Sequence, residues 1–144
     1  MYRTIVVAVG GSDDSTRTVA HAADLAAGLG SRVVVLHVRA IDADMPVPGA
    51  VPTGATIVQE DARTADEVVD TALAVLSAAG VTAEADVADA MRTEVPRAIL
   101  ELAGKHQADL ILTGMHQRGL LGSLVGSIGD RVARHADCPV LLVP

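Results

Sequence analysis

Along the chain, short unbroken apolar runs alternate with longer stretches in which apolar residues recur every three or four positions. Positions 4–9 (Thr-Ile-Val-Val-Ala-Val) form the first run, stopped by Gly10 and Gly11. A run without alternation predicts a strand covered on both faces, as in a parallel sheet. Positions 12–15 (Ser-Asp-Asp-Ser) then supply helix caps ahead of Val19, Ala22, Ala23, Ala26 and Leu29, and Gly30 follows where a helix ends in left-handed geometry. Positions 32–38 (Arg-Val-Val-Val-Leu-His-Val) repeat the buried-strand pattern. The opening unit is therefore strand, helix, strand, with a right-handed crossover.

The pattern lapses from 40 to about 57, where Pro46, Pro48, Gly49, Pro52 and Gly54 punctuate the chain. A connection of that length is either functional or disordered, and a surface excursion is the simpler expectation. Helical spacing returns with Ala65, Val68, Val69, Ala72, Leu73, Leu76 and Ala79, and ends at Gly80. Glu60, Asp61, Asp66, Glu67 and Asp70 crowd its amino-terminal half, where the helix dipole favours anions, so they read as a solvated helix start rather than a metal site. Positions 81–87 suit a strand near the sheet edge. A third helix follows over 93–106, with Thr93 as its cap and Pro96 in its first turn. Buried strands at 109–114 and 139–143 complete the series β-α-β-α-β-α-β-α-β. That order predicts an α/β fold, a doubly wound parallel five-stranded sheet with helices on both faces, in a single domain over 1–144.

Composition narrows the function. The 144 residues include 11 Lys plus Arg against 18 Asp plus Glu, a formal charge of −7. Such a surface is unsuited to nucleic acid or to anionic lipid, both of which need clustered cations. Trp and Phe are absent and Tyr2 is the sole aromatic residue, which removes any base-stacking platform. Lys105 is the only lysine, so a Schiff base or a Gly-Lys-Ser/Thr phosphate loop lacks its residue. The lone Cys138 has no internal disulfide partner, and the first apolar run is too short for a signal peptide or a membrane span. A cytoplasmic protein is expected.

In an open parallel sheet the ligand lies beyond the carboxyl ends of the strands, where the strand order reverses. That places a crevice between the Gly10 turn and the Gly114 turn. Positions 113–129 carry Gly114, Gly119, Gly122, Gly126 and Gly129, and Ser127 can cap the following helix. The free N–H groups at that helix start suit a phosphate, and Arg118 is the nearest cation in sequence. Glycines that merely serve turns would give the same pattern. His116 and Arg118 lack a carboxylate placed in sequence to orient the histidine, so no catalytic residue is assigned. His21, His37, His106 and His135 show no ligand spacing, and no metal site is assigned.

Gly114-Met-His-Gln and Gly126-Ser127, flanked by Ala108-Asp-Leu-Ile-Leu-Thr and by Arg134-His-Ala-Asp-Cys-Pro-Val-Leu-Leu-Val-Pro144, strongly resemble the universal stress protein family. The likeness extends to the opening Ile-Val-Val-Ala-Val-Gly-Gly-Ser12 and to Leu36-His37-Val38, and so covers nearly the whole chain. The resemblance implies strand order 3-2-1-4-5 and a homodimer formed through the last strand, Val140–Val143. For one branch it implies ATP, or ADP or AMP, with Mg²⁺ carried by the nucleotide, held by a Gly-x2-Gly-x9-Gly-Ser/Thr loop. Adenine then lies near Ala8 and Val38, with Val9 and Gly10 beside it. The phosphates fall on Thr113, Gly114, His116, Gln117 and Arg118, and on the helix start at Gly126, Ser127, Ile128 and Gly129. Gln117 stands in place of the motif's second glycine, and the stretch to Gly126 is one residue short, as in a nucleotide-binding subgroup. Gly10 replaces an aspartate, for which Asp13 or Asp14 could substitute if they are not merely caps. The implied function is a nucleotide-binding regulatory stress-response protein with little or no turnover. The alternatives are a dimerisation or interaction module that binds no nucleotide, and a slow ATPase.

Overall fold

The computed structural model describes residues 1–10, 13–43, 57–59, 62–115 and 128–144. Its strands are β1 (Thr4–Ala8), β2 (Arg32–Ala43), β3 (Ile57–Gln59), β4 (Ala83–Met91), β5 (Leu110–Gly114) and β6 (Val140–Val143). Its helices are α1 (Asp13–Leu29), α2 (Ala62–Ala78), α3 (Val95–Lys105) and α4 (Ile128–His135). Five strands are parallel, in the order β4-β2-β1-β5-β6. Counted among the parallel strands alone this is 3-2-1-4-5, the order the resemblance implies.

Strand alternation sends successive residues of each apolar run to opposite layers. Ile5, Val7, Val9, Val33 and Val35 pack with α1 and α2, while Val6, Ala8, Val34 and Leu36 pack with α3 and α4. With both faces covered, the central strands need no polar positions, which is why their sequence runs unbroken. Gly30 and Gly80 follow α1 and α2 with φ of 67° and 72°, the left-handed geometry that a side chain disfavours. Gln107 takes the same geometry after α3, with φ of 55°, without being glycine.

At the amino end of the sheet, Asp109 joins β5 to β1. Its Oδ2 accepts from the backbone N–H groups of Thr4 at 2.9 Å and Arg3 at 2.8 Å. These two bonds, Thr4 first, hold its carboxyl below the ordinary aspartate range. On β4, Asp86 accepts from Lys105 at 2.8 Å and lies 2.7 Å from the His106 ring, and those partners lower its pKa in the same way. Cys138 is half-buried, and burial pushes its thiol up, away from the reactive thiolate. No helix among the described residues is long and apolar enough to cross a membrane.

The structure corrects three expectations. Thr93 does not cap α3: it lies inside a 3₁₀ turn, Arg92–Glu94, and Glu94 occupies the cap position without a side-chain bond. The third parallel strand is Ala83–Met91 rather than 81–87, and pairs with β2 alone. The connection after β2 is not pattern-free at its ends, because β2 continues to Ala43 and β3 pairs with it antiparallel.

That last pairing has a geometric consequence. Ile41 is matched to Met91 of β4 and also to Gln59 of β3, so the two strands flank β2 on opposite sides. β3 therefore stands on the β1 side of β2, beyond the point where β1 ends opposite Leu36. Among the described residues, one edge of β2 around Val38 faces a gap between the end of β1 and β3.

Candidate functional site

The strand order reverses between β1 and β5, and both strands end in glycine-bearing turns at that point. Ala8 closes β1, paired with Leu36 on one side and Thr113 on the other, with its side chain buried in the layer under α3 and α4. The amide of Val9 donates to Leu36 O at 2.9 Å and extends the ladder by one rung. The next rung is altered. In a regular parallel ladder the Val9 carbonyl would receive the N–H of Val38; here it receives Nδ1 of the buried His37 at 2.8 Å.

The backbone of β2 alternates about this point. Leu36 turns its groups toward β1 and Val33 turns its groups toward β4, where its amide meets Thr82 O. By the same alternation the N–H and C=O of Val38 face the gap beyond β1, while those of Ala40 face the β3 side beside the Ile41–Gln59 pair. Among the described residues, no strand pairs with the backbone donor and acceptor of Val38 on this edge. The Gly10 amide is engaged nearby, donating to Ser15 Oγ at 2.7 Å.

On the other flank, α4 rests directly on the end of β5. A Cβ at Gly129 would lie 3.0 Å from the Gly114 carbonyl oxygen, 3.0 Å from Leu142 Cδ2 and 3.2 Å from Thr113 Cγ2. Only a glycine lets the helix start come this close. Thr113 is fully buried beneath it, and its Oγ1 has no hydrogen-bond partner among the described residues. Buried hydroxyls are nearly always satisfied, so an orphan at a strand end marks a place where a further polar group belongs.

Ala8, Val9, Gly10, Val38, Thr113, Gly114, Ile128 and Gly129 are therefore gathered around the carboxyl ends of β1, β2 and β5. His116, Gln117, Arg118, Gly126 and Ser127 lie outside the described residues. Two features escaped the sequence reading. His37 read as one of several scattered histidines, and only the register shows it reaching the Val9 carbonyl. A groove of about 290 Å³ opens beside Val9 and Gly10, between the first turns of α1 and the stretch of α2 from Thr64 to Val75. Its signal was present in the polar stripe Thr64, Glu67 and Thr71 at helical spacing on α2, next to Val68 and Val75. Among the described residues no group of three or more His, Cys, Asp or Glu is placed to hold a metal ion.

Together these features define a doubly wound α/β domain whose crevice, at the reversal of strand order, combines an open backbone edge with a closely seated helix start. The universal stress protein family profile matches residues 1–144, and the chain belongs to that family. A universal stress protein of Thermus aquaticus is 35% identical over 148 residues, spanning 99% of both chains. Among solved structures, a universal stress protein in complex with cAMP superposes with a TM-score of 0.72 at 27% identity, covering 99% of this chain and 97% of the other. The universal stress protein from Archaeoglobus fulgidus in complex with dAMP shares the fold, with a TM-score of 0.70 at 24% identity over 99% and 98% of the two chains.

Proposed function

We propose that this protein binds an adenine nucleotide across the carboxyl end of the sheet and acts as a regulatory binding protein with little or no turnover. The seating of α4 on β5 is the observation that carries the reading. Gly129 brings the helix start against Gly114, and the first N–H groups of α4 have no helical partner of their own. The orphaned Thr113 hydroxyl beneath them supports a polar ligand there. In this reading the phosphates meet Gly114, His116, Gln117, Arg118, Gly126, Ser127, Ile128 and Gly129. The adenosine crosses the end of β1 by Ala8, Val9 and Gly10, and its base is read by the open backbone edge at Val38. The related protein in complex with cAMP supports the ligand class. ATP with Mg²⁺ is the fullest form of the ligand, and ADP or AMP are shorter ones.

The reading extends to a cytoplasmic homodimer paired through the free edge of β6. Scanning calorimetry with and without nucleotide tests the central claim. A ligand at 100 times its Kd is expected to add about 2.7 kcal/mol of stability. Absence of any shift with millimolar Mg-ATP or AMP would dispose of it.

One observation favours an interaction module without nucleotide: Gly10 stands where the family carries an aspartate, and its amide is already taken by Ser15. Mass spectrometry of the supernatant from freshly denatured protein separates the two readings. Co-purified ATP, ADP or AMP argues for the first.

A further inference from the structure

We infer that His37 is a positioning residue for the ligand edge: by taking the Val9 carbonyl, it keeps the amide of Val38 out of the β1–β2 ladder and available to an incoming acceptor. The inference rests on the nucleotide-binding reading for the identity of that acceptor, while the strand end itself is testable without ligand.

The pairing of β1 with β2 stops one rung early. Ala8 is matched to Leu36, and the Val9 amide still donates to Leu36 O at 2.9 Å. The rung that follows in a parallel ladder runs from the Val38 N–H to the Val9 carbonyl. His37 takes its place. The ring lies on the α1 and α2 side of the sheet, by alternation with Val33 and Val35, and the residue is only 2% exposed. Its backbone is matched to Val87 of β4, so the ring reaches across the strand from a fixed base. Nδ1 stands 2.8 Å from the Val9 carbonyl, and because a carbonyl oxygen only accepts, Nδ1 carries the proton.

The same peptide unit is held at its other end. The N–H that follows the Val9 carbonyl is that of Gly10, and it donates to Ser15 Oγ at 2.7 Å. One peptide is thus clamped between a side chain of β2 and a side chain of α1, both buried. An ordinary strand end needs no such clamp, since the Val38 amide would satisfy the Val9 carbonyl by itself. A buried imidazole does that work here, and the N–H it replaces is left facing the gap, where no strand among the described residues pairs with it. The chemistry that fits a lone backbone donor there is an uncharged acceptor such as a purine ring nitrogen.

Two variants separate positioning from packing. His37→Leu removes the donor but keeps similar bulk, and His37→Asn keeps an amide N–H at the place of Nδ1. NMR couplings transmitted through hydrogen bonds, from amide nitrogen to carbonyl carbon, read the rung directly. Ligand-free wild type is expected to show no coupling between Val38 N and Val9 C′, with imidazole nitrogen shifts of a protonated Nδ1. In His37→Leu that coupling should appear, and the Kd for AMP and for ATP should rise about tenfold, the worth of one hydrogen bond. In His37→Asn the rung should stay open and both affinities should stay close to wild type. A side chain that merely fills space predicts no new rung and no rescue by Asn. A Val38–Val9 coupling in wild type, or a ring protonated at Nε2 alone, would overturn the inference whether or not His37→Leu folds. So would a folded His37→Leu whose rung stays open or whose affinities are unchanged. If wild type binds neither nucleotide at millimolar concentration while the couplings behave as expected, the nucleotide reading falls and the hold of His37 on the strand end stands.

Discussion

No group among the described residues receives the buried Thr113 hydroxyl, and this single atom makes a sharp prediction. A buried unsatisfied polar group costs about 1–3 kcal/mol. Thr113→Val keeps the branched shape and removes the orphan. The variant is expected to be more stable than wild type by about 1 kcal/mol, because no bond is lost with the hydroxyl. If the hydroxyl serves a ligand, the same variant should bind nucleotide more weakly. Urea denaturation and calorimetry measure the two effects separately, and a destabilised variant would show that the hydroxyl already has a partner. Gly129 makes the complementary case. Its added Cβ in Gly129→Ala meets backbone at Gly114 and side chains of Leu142 and Thr113, and with the Gly114 carbonyl fixed in the sheet the contact is relieved only by a shift of a few tenths of an ångström. Overpacking of this kind costs about 1–3 kcal/mol, read as a lower urea midpoint with unchanged slope.

The elements were legible where burial alone specifies them. Unbroken Val, Ile and Leu runs gave β1, β5 and the first half of β2, and the glycines after α1 and α2 take the positive φ their positions require. Legibility failed where pairing, not burial, makes the element. The outer half of β2 includes Arg39 and Asp42, and β3 is three residues long; neither shows a period, and both exist because they pair with each other or with β4. The start of α3 failed for a related reason, since the 3₁₀ turn displaces Thr93 from the cap. The site was legible in the same measure: glycines flagged the turns and the seat of α4, whereas the His37 bond and the α1/α2 groove arise from contacts across layers. At this scale Asp109 matters most for pH. Its carboxyl is lowered by the Thr4 and Arg3 amides, so the bond to β1 is present above the ordinary aspartate pKa and is lost as pH falls through the lower, folded value. Tm is expected to fall on acidification below about pH 4. In Asp109→Asn that fall should be shallower, while the variant is less stable at neutral pH. Equal slopes in the two proteins would contradict the assignment.

The sheet of the whole molecule ends in two unlike edges. β4 is nine residues long and carries Glu84, Asp86 and Asp89, charges of the sort that discourage edge-to-edge pairing. β6 is four apolar residues, Val-Leu-Leu-Val, with Leu141 exposed. Its odd positions face β5, as the bonds to Pro139 O and Val143 O show, so Val140 and Leu142 turn their amides to the free edge. If a dimer forms there, Val140→Pro removes one outward donor and spares the β5 ladder. Sedimentation is expected to show a dimer for wild type and a weakened one for the variant; an unchanged dimer would place the contact elsewhere.

The overhang of β2 past the end of β1 sets a pattern in time as well as in space. Over positions 37–39, the amides of His37 and Arg39 are tied to β4 while that of Val38 turns to the other side, where no described strand pairs with it. Hydrogen exchange along this stretch should therefore be slow, fast and slow in the free protein. A ligand lying against the edge would slow Val38 and leave its neighbours as they were, turning a stuttering strand into a uniform one.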